Sequence, residues 1–221
     1  KAAGIDIIAS YIFWIHHEEE EGKFDWSGNR NLRKFIQLCG NHGVYFFVRI
    51  GPWCHGECRN GGFPDWLITK KCKLRTDDPE YLFYVRIFYH EIAKQLEGLY
   101  FKDGGPIVGI QVENELQNEP KHLLTLKKIA QEEGMLSPLY TVTGWGGNQG
   151  VEFPELEVIP MFGGYPEAPW EQHVSELKPN LEYFFHTVRN NAGIGNDLFA
   201  CNSTQASDNP KIGLYPYFTC E

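Results

Sequence analysis

The stretch 104–116, with the sequence GGPIVGIQVENEL, constrains the fold of this chain more than any other part of it. Its apolar middle, 108–112, is typical of a parallel strand that is covered on both faces. Glu113, Asn114 and Glu115 follow this strand at once. In a barrel of parallel strands surrounded by helices, the C-terminal strand ends converge on one opening, so carboxylates there indicate chemistry. Two ordinary acids in a solvated loop are the alternative, because an Asn-Glu pair alone is a weak motif.

Length and charge exclude several classes of protein. The chain has 221 residues, of which 42% are hydrophobic, so it can bury a large core, and we expect a single domain over residues 1–221. The net charge of −9 argues against a nucleic-acid partner, because no basic face is available to neutralise phosphates. No apolar run reaches the about 20 residues that a membrane-spanning helix needs. The first residues, KAAGIDIIASY, indicate a structural element, so a targeting segment would lie upstream.

The cysteine and acidic residues do not form a recognisable metal motif. The six cysteines are scattered, and we expect buried free thiols. Cys54, His55 and Cys58 invite a metal interpretation, but a C-x3-C spacing without a second pair is not that of a zinc site. The acidic run 18–21 is more typical of solvated surface than of a metal site. We therefore expect no metal and no cofactor.

Strand and helix patterns alternate along the chain. Predicted strands cover 5–13, 44–50, 107–112, 139–143, 156–162 and 212–221. Predicted helices cover 29–41, 79–100, 121–134 and 171–191, the second of them capped by Asp77 or Asp78. The segment 51–67 has too many Gly and Pro residues for regular structure. Strict alternation predicts a right-handed parallel α/β fold, and the absence of a glycine-rich phosphate motif after any strand argues against a doubly wound sheet.

Polar and aromatic residues follow nearly every predicted strand, which is the distribution that the mouth of a (β/α)8 TIM barrel requires. They are Tyr11, Trp14, Arg49, His55, Glu57, Asn114, Glu115, Trp145, Asn148, Tyr165 and Glu221. Eight strands close such a barrel. We therefore expect strand 1 and strand 8 to be missing, so that the chain is a catalytic barrel domain truncated at both ends.

Four sequence blocks, in order, resemble one enzyme family. They are SYIFWIHHEEEEGKFDWSGNRNLRKFI, VRIGPWCHGECRNGGFPDWL, GGPIVGIQVENE and YPYFTCE. The chain resembles the catalytic barrel of family 35 glycoside hydrolases, the retaining β-galactosidases. The likeness is dense over 1–115, thin over 116–209, and returns at the end of the chain.

The resemblance implies roles for five residues. In the family the Glu of the Asn-Glu pair is the general acid/base, which corresponds here to Glu115, with Asn114 at the sugar 2-hydroxyl. The nucleophile belongs on the seventh strand, where Glu221 is the matching position. Tyr11 and Gly56 are expected to contact the sugar.

Three further residues, Glu57, His55 and Tyr165, are candidates for substrate binding. Glu57 is expected to bind sugar hydroxyl groups. His55 stands where family members often carry Cys or Asn, and Cys58 stands where they carry Trp, so the exact sugar stays open. Tyr165 either lines the sugar pocket or is an ordinary core or surface aromatic.

Other polar and aromatic residues have two interpretations. Trp14, Trp53 and Trp145 either pack against the sugar or belong to the core or surface. Arg49 is either a salt-bridge partner inside the barrel or tunes a catalytic carboxylate. Strand alternation directs Glu113 away from Glu115, so we interpret Glu113 as structural.

The resemblance implies an exo-acting retaining β-galactosidase that takes oligosaccharides or glycans with a terminal β-galactoside. Retention places the two carboxyl groups about 5 to 5.5 Å apart, with Glu115 protonated at the start and Glu221 as the attacking group. The family resemblance also favours a secreted or periplasmic location and further domains in the same polypeptide. The alternatives are a related β-glycosidase with another sugar specificity, a non-catalytic glycan-binding barrel, or a metal-dependent hydrolase using His16, His17, Glu18 and His55.

Overall fold

The structure of the protein is a computed structural model that describes residues 1–116, 119–142 and 157–161. It has two compact units, which are described separately. The first consists of Lys1–Asn114 and Lys121–Tyr140, and the second of Glu115–Pro120 and Thr141–Glu221. The predicted helix over 171–191 and the predicted strand over 212–221 lie outside the described residues.

The first unit is built on a parallel sheet whose strands are neighbours in chain order, which confirms the α/β class. The strands are β1 (Ile7–Tyr11), β2 (Tyr45–Gly51), β3 (Ile107–Val112) and β4 (Leu139–Val142). The last two residues of β4 belong to the second unit, where β5 (Ile159–Met161) is the neighbour of β4. The bounds of β3 are those predicted from its apolar run.

The register of the sheet aligns three polar residues at the C-terminal strand ends. Tyr11 is paired with Arg49, and Arg49 is paired with Gln111. Residues paired in register project from the same face of a sheet. The row Tyr11, Arg49 and Gln111 therefore presents one ring and two polar side chains side by side.

Within the described residues, five α-helices connect or flank the strands. They are α1 (Trp14–His17), α2 (Leu32–Asn41), α3 (Asp65–Ile68), α4 (Pro79–Leu96) and α5 (Pro120–Glu132). Short 3-10 turns occupy Gly28–Arg30, Arg59–Gly62 and Phe101–Asp103. The helix α3 corrects the prediction that the whole glycine-rich segment after β2 is irregular. Pro64 precedes this single turn, and Asp65 supplies an acidic residue in its first turn.

The start of α4 follows the predicted capping pattern. The carboxylate of Asp78 accepts hydrogen bonds from the N–H groups of Glu80 at 2.9 Å and Tyr81 at 3.2 Å, and Pro79 occupies the first turn. Bonds from backbone N–H groups, that of Tyr81 first, hold the pKa of Asp78 below its usual value. The helix ends at Leu96, four residues before the predicted end, because Glu97 is extended and Gly98 is left-handed with φ of 72°.

The inner side of α4 forms the centre of the core of the first unit. Its predicted stripe is fully buried and consists of Tyr81, Val85, Phe88, Ile92 and Leu96. Trp14 stacks on Phe88 with ring centroids 4.4 Å apart and planes within 2°. Each fully buried apolar side chain contributes about 1.5 to 3 kcal/mol to folding. Trp14 is therefore a core residue, and its alternative interpretation as a sugar-binding surface is wrong.

Glu18 departs from the prediction that the acidic run is solvated, although Glu19, Glu20 and Glu21 are exposed as expected. The Glu18 carboxylate is buried and accepts hydrogen bonds from the indole N–H of Trp14 at 2.6 Å and from the N–H of Gly22 at 2.7 Å. Burial raises the pKa of this carboxyl, against the effect of the two hydrogen bonds.

No helix in the ranges that the structure describes is both long enough and apolar enough to cross a membrane.

Candidate active site

Asn114, for which the family resemblance predicts a contact with a sugar hydroxyl, lies just beyond the end of β3 and is buried. Its side-chain oxygen accepts two hydrogen bonds of 2.9 Å, one from the Arg49 guanidinium and one from the Gln111 amide. These two donors fix the orientation of the Asn114 amide, because only its oxygen can accept. The amide nitrogen is then the end that can donate to a ligand.

Arg49 links the ends of β1, β2 and β3. Its guanidinium carbon lies 3.6 Å from the centroid of the Tyr11 ring, which is a cation–π contact, while the same group donates to Asn114. The described contacts make Arg49 an organiser of neighbouring polar and aromatic side chains, and its two predicted roles, salt-bridge partner and tuner of a catalytic carboxylate, stay predictions. Its planar fork of donors suits this task, because one group can stack and donate at once.

Glu113 is held by an ion pair that sequence patterns did not indicate. Arg75 donates to the two carboxylate oxygens from Nε at 2.9 Å and from Nη2 at 2.7 Å. The N–H of Asn114 donates to the same carboxylate at 2.8 Å. These contacts fit the interpretation of Glu113 as structural, since its oxygens are used within the protein.

Gln111 was also missed, although its sequence context contained an indication. It is a polar residue inside an otherwise apolar buried strand, and such groups need hydrogen-bond partners. Its amide donates to the carbonyl oxygen of Glu113 at 2.8 Å as well as to Asn114. Gln111 therefore braces the turn that follows β3.

The loop after β2 places Gly56 against Tyr11, the last residue of β1, and Phe13, which lies two residues beyond it. A Cβ atom on Gly56 would lie 3.1 Å from the Phe13 ring and 3.4 Å from the Tyr11 ring. His55, Gly56 and Glu57 have φ of 60°, 53° and 48°, so three successive residues are left-handed. The structure thus brings Gly56 to Tyr11, while His55 and Glu57 are exposed on the same tight turn.

Trp53 is half-buried at the base of this loop. The Arg75 guanidinium carbon lies 4.7 Å from its ring centroid, and the His55 ring meets it edge-on at 5.9 Å. Gly61 has φ of 62°, and a Cβ there would lie 2.1 Å from the Trp53 ring, so only glycine fits this position. Trp53 thus packs within the loop, in contact with His55 and Arg75.

The described residues do not test the catalytic roles predicted for Glu115 and Glu221. Glu115 belongs to the second unit, where its side chain is half-buried and its φ is 49°. Glu221 lies outside the described residues, as do Trp145, Asn148 and Tyr165. The roles given to these residues stay predictions.

The described residues include no group of three or more His, Cys, Asp or Glu side chains that could hold a metal ion. Nδ1 of His17 contacts the carbonyl oxygen of Asp25 at 3.1 Å, and the ring stacks on Trp26 at 4.1 Å. Burial lowers the pKa of the His17 imidazole. The four thiols that the structure describes are free: Cys39 and Cys54 are buried, and Cys58 and Cys72 are half-buried.

The fold and the site define the class of protein. An α/β unit with a parallel sheet carries hydrogen-bonding and aromatic side chains at the C-terminal ends of three adjacent strands, where ligands bind in this class. The sequence model described as Glycosyl hydrolases family 35 matches residues 1–182. The chain belongs to this family of glycosidases.

Known proteins similar to the chain agree with this assignment. It is 33% identical over 145 residues to Beta-galactosidase-1-like protein 2 of Homo sapiens, which is 64% of this chain and 23% of that protein. It is 39% identical over 116 residues to Beta-galactosidase of Bos taurus, which is 52% of this chain and 18% of that protein. The chain thus spans less than a quarter of the length of these relatives.

A solved structure shows the same fold. The chain resembles Exo-beta-1,4-mannosidase Op5Man5 from Opitutaceae bacterium strain TAV5 with a TM-score of 0.52 and 16% sequence identity. The similarity covers 63% of this chain and 25% of that chain. At this identity the match concerns the fold alone.

Proposed function

We propose that the protein is an exo-acting retaining β-galactosidase that removes terminal β-linked galactose from oligosaccharides or glycans. The single observation that carries this proposal is the family match over residues 1–182. The relative of Bos taurus is named Beta-galactosidase, which favours galactose as the sugar. The orientation of Asn114 supports it further, because a fixed amide donor suits a sugar hydroxyl.

The proposed architecture is a (β/α)8 barrel in which β3 is the fourth strand and the strand ending at Glu221 is the seventh. The parallel order of β1, β2, β3 and β4 supports a barrel, because adjacent parallel strands with intervening helices are its repeating unit. Polar groups at the C-terminal ends of β1, β2 and β3 support it too, since active sites of this fold lie there.

In the proposed mechanism two carboxyl groups divide the work. Glu115 donates a proton to the glycosidic oxygen as the bond to the anomeric carbon breaks, while the carboxylate of Glu221 attacks that carbon from the opposite face. A covalent glycosyl enzyme and the released aglycone result. Glu115, now deprotonated, takes a proton from water, and the hydroxide formed displaces Glu221 with net retention of configuration.

Asn114 would contribute by binding rather than by proton transfer. Its amide N–H can donate to the sugar 2-hydroxyl, and such bonds strengthen in the transition state of glycosidases. Tyr11 and Gly56, which pack near one another, would form a wall for the sugar ring, and Glu57 and His55 would reach its hydroxyl groups from the exposed turn.

The proposal is tested by a hydrolysis screen of the full-length protein across aryl β-glycosides, with the first-formed product anomer identified by NMR. We expect preferred cleavage of the β-galactoside with release of β-galactose. Glu115→Gln and Glu221→Ala should each lower turnover of natural-type substrates at least about a thousandfold. Glu119→Gln, a change of an exposed carboxylate that follows in the same segment, serves as control and should leave turnover unchanged.

Other results of these assays would contradict or change the proposed function. Release of the α-anomer would contradict the two-carboxylate retaining mechanism. Preferred cleavage of another β-glycoside would replace galactose by that sugar. Binding of galactosides without hydrolysis would favour a glycan-binding barrel, and loss of activity on chelation would favour a metal-dependent hydrolase.

A further inference from the structure

Arg75 lies between α3 and α4, 38 positions before Glu113, and its guanidinium group reaches the turn after β3. It makes three hydrogen bonds there. Two go to the Glu113 carboxylate, as described above, and the third goes from Nη2 to the carbonyl oxygen of Asn114 at 2.8 Å. The planar fork of Arg matches a carboxylate at two points, which fixes direction as well as distance.

The Arg75–Glu113 ion pair forms hydrogen bonds with both polar groups of the Asn114 backbone. The Asn114 N–H donates to Glu113 at 2.8 Å, and the Asn114 carbonyl accepts from Arg75 at 2.8 Å. Neither group is part of the ladder of β3, which ends at Val112. The two peptide groups that flank Asn114 are thus held by the ion pair of Glu113 and Arg75, and Arg75 comes from a distant part of the sequence.

The burial and the backbone conformation of the Arg75–Glu113 ion pair are energetically unfavourable, which indicates that the pair has a function. The Glu113 side chain is 0% exposed and that of Arg75 is 25% exposed, so the carboxyl group is buried and is paired with a guanidinium that is itself mostly buried. Arg75 and Glu113 have φ of 58° and 55°, in the left-handed region that such residues rarely adopt. Strained residues of this kind persist where the surrounding contacts hold them, and they cluster at functional sites.

We propose that Arg75 is a positioning residue for substrate binding: through its ion pair with Glu113 and its own hydrogen bond to the Asn114 carbonyl, it fixes the Asn114 backbone so that the Asn114 amide meets the sugar 2-hydroxyl. This inference rests on the proposed function. Arg75 itself touches no reacting atom in this proposal, because its donors are directed to Glu113 and to the Asn114 carbonyl. Arg49 and Gln111 orient the Asn114 side chain, while Arg75 holds the Asn114 backbone.

The test compares the hydrolysis of an aryl β-galactoside with that of its 2-deoxy analogue, which lacks the hydroxyl group that Asn114 would bind. The wild-type full-length protein should prefer the 2-hydroxy substrate in kcat/KM by about 100-fold or more. Asn114→Ala should remove most of this preference. Arg75→Met should lower it at least about tenfold, with a fall in kcat of about 10- to 100-fold.

Additional variants separate positioning from a general loss of structure. In Arg75→Met combined with Asn114→Ala, the preference should equal that of Asn114→Ala alone. Arg75→Lys keeps the charge but loses the two-point geometry, so it should retain an intermediate preference. Arg86→Met removes an exposed guanidinium that pairs with Glu132 and Glu133, and it should leave the preference unchanged.

Thermal unfolding of every variant completes the design. If Arg75→Lys or Arg75→Met folds and keeps the wild-type preference, the inference is overturned while the proposed function stands. If every Arg75 variant fails to fold, Arg75 is a structural residue and the inference is likewise overturned. If the wild-type protein hydrolyses no aryl β-glycoside, the proposed function fails, and the inference that rests on it fails too.

Discussion

The phenol of Tyr89 donates a hydrogen bond of 2.8 Å to the carbonyl oxygen of Gly51, which lies at the end of β2. The same carbonyl accepts the N–H of Glu113 at 2.7 Å. One oxygen therefore connects α4 to the ends of two strands that carry the candidate site. Tyr89 is fully buried, and burial raises the pKa of its phenol well above the usual value, so it stays a neutral donor.

Replacing Tyr89 by Phe should destabilise the protein while leaving its core packed. The variant loses one buried hydrogen bond, and we expect the free energy of unfolding to fall by about 0.5 to 1.5 kcal/mol. Urea unfolding measures this change. Tyr45→Phe is the control: that side chain is 44% exposed, so its loss should change stability by less than about 0.5 kcal/mol. Equal effects of the two variants would contradict the role given to the Tyr89 hydroxyl.

The buried carboxyl of Glu18 should make stability fall as pH rises. Its pKa is raised by burial from the ordinary 4.5, so between pH 4.5 and the raised value the folded state holds a proton that the unfolded state has released. The folded state is favoured by this group below pH 4.5, and the benefit is lost as pH rises through the folded-state pKa. The free energy of unfolding of the wild type, minus that of Glu18→Gln, should therefore decrease with rising pH.

Glu20 provides a control of opposite sign. A hydrogen bond from Lys23 lowers the pKa of this exposed carboxyl, so its contribution to stability is present above the unfolded-state pKa and is lost as pH falls. The difference between wild type and Glu20→Gln should increase with pH. Denaturant unfolding at several pH values gives both slopes. A Glu18 difference that is flat or rises with pH would show that its carboxyl is not destabilised by burial.

Two adjacent glycines before β3 should respond differently to Ala. A Cβ on Gly105 would lie 2.0 Å from the carbonyl oxygen of Leu99, so backbone would have to move, and we expect a loss of about 2 kcal/mol or more. A Cβ on Gly104 would meet nothing within 4 Å, although φ there is 83°. Gly104→Ala should therefore cost only about 1 kcal/mol for the left-handed backbone. Thermal unfolding of both variants tests the order, and a larger loss at Gly104 would contradict it.

Local sequence patterns located the strands and the longer helices of the first unit, but not the single-turn helices α1 and α3. The bounds of β3 follow from an apolar run that only a doubly covered strand explains, and the start of α4 follows from a capping residue and a proline. The inner stripe of α4 repeats at helical spacing and is buried as predicted. The early end of α4 was missed although Gly98, which follows Glu97, is a residue type that commonly ends helices.

Contacts between distant residues could not be predicted in the same way. Asn114 was found from a motif, but the Arg75 that holds its backbone is separated from Glu113 by 38 positions and belongs to no periodic pattern. Glutamate is a residue type that usually lies on the surface, and only the fold brings the Trp14 indole to Glu18. Such pairs depend on how loops pack, which local propensity does not encode.

The roles proposed for Glu115 and Glu221 can be separated with azide and a β-galactoside that has a dinitrophenolate leaving group. Glu221→Ala lacks the attacking carboxylate, so azide should displace the leaving group directly and give α-galactosyl azide. Glu115→Ala still forms the glycosyl enzyme, because this leaving group needs no proton, and azide should then give β-galactosyl azide. Glu119→Ala should give galactose at the wild-type rate with no azide product above that of wild type. NMR identifies the products, and interchanged anomers would assign the acid/base to Glu221 and the nucleophile to Glu115.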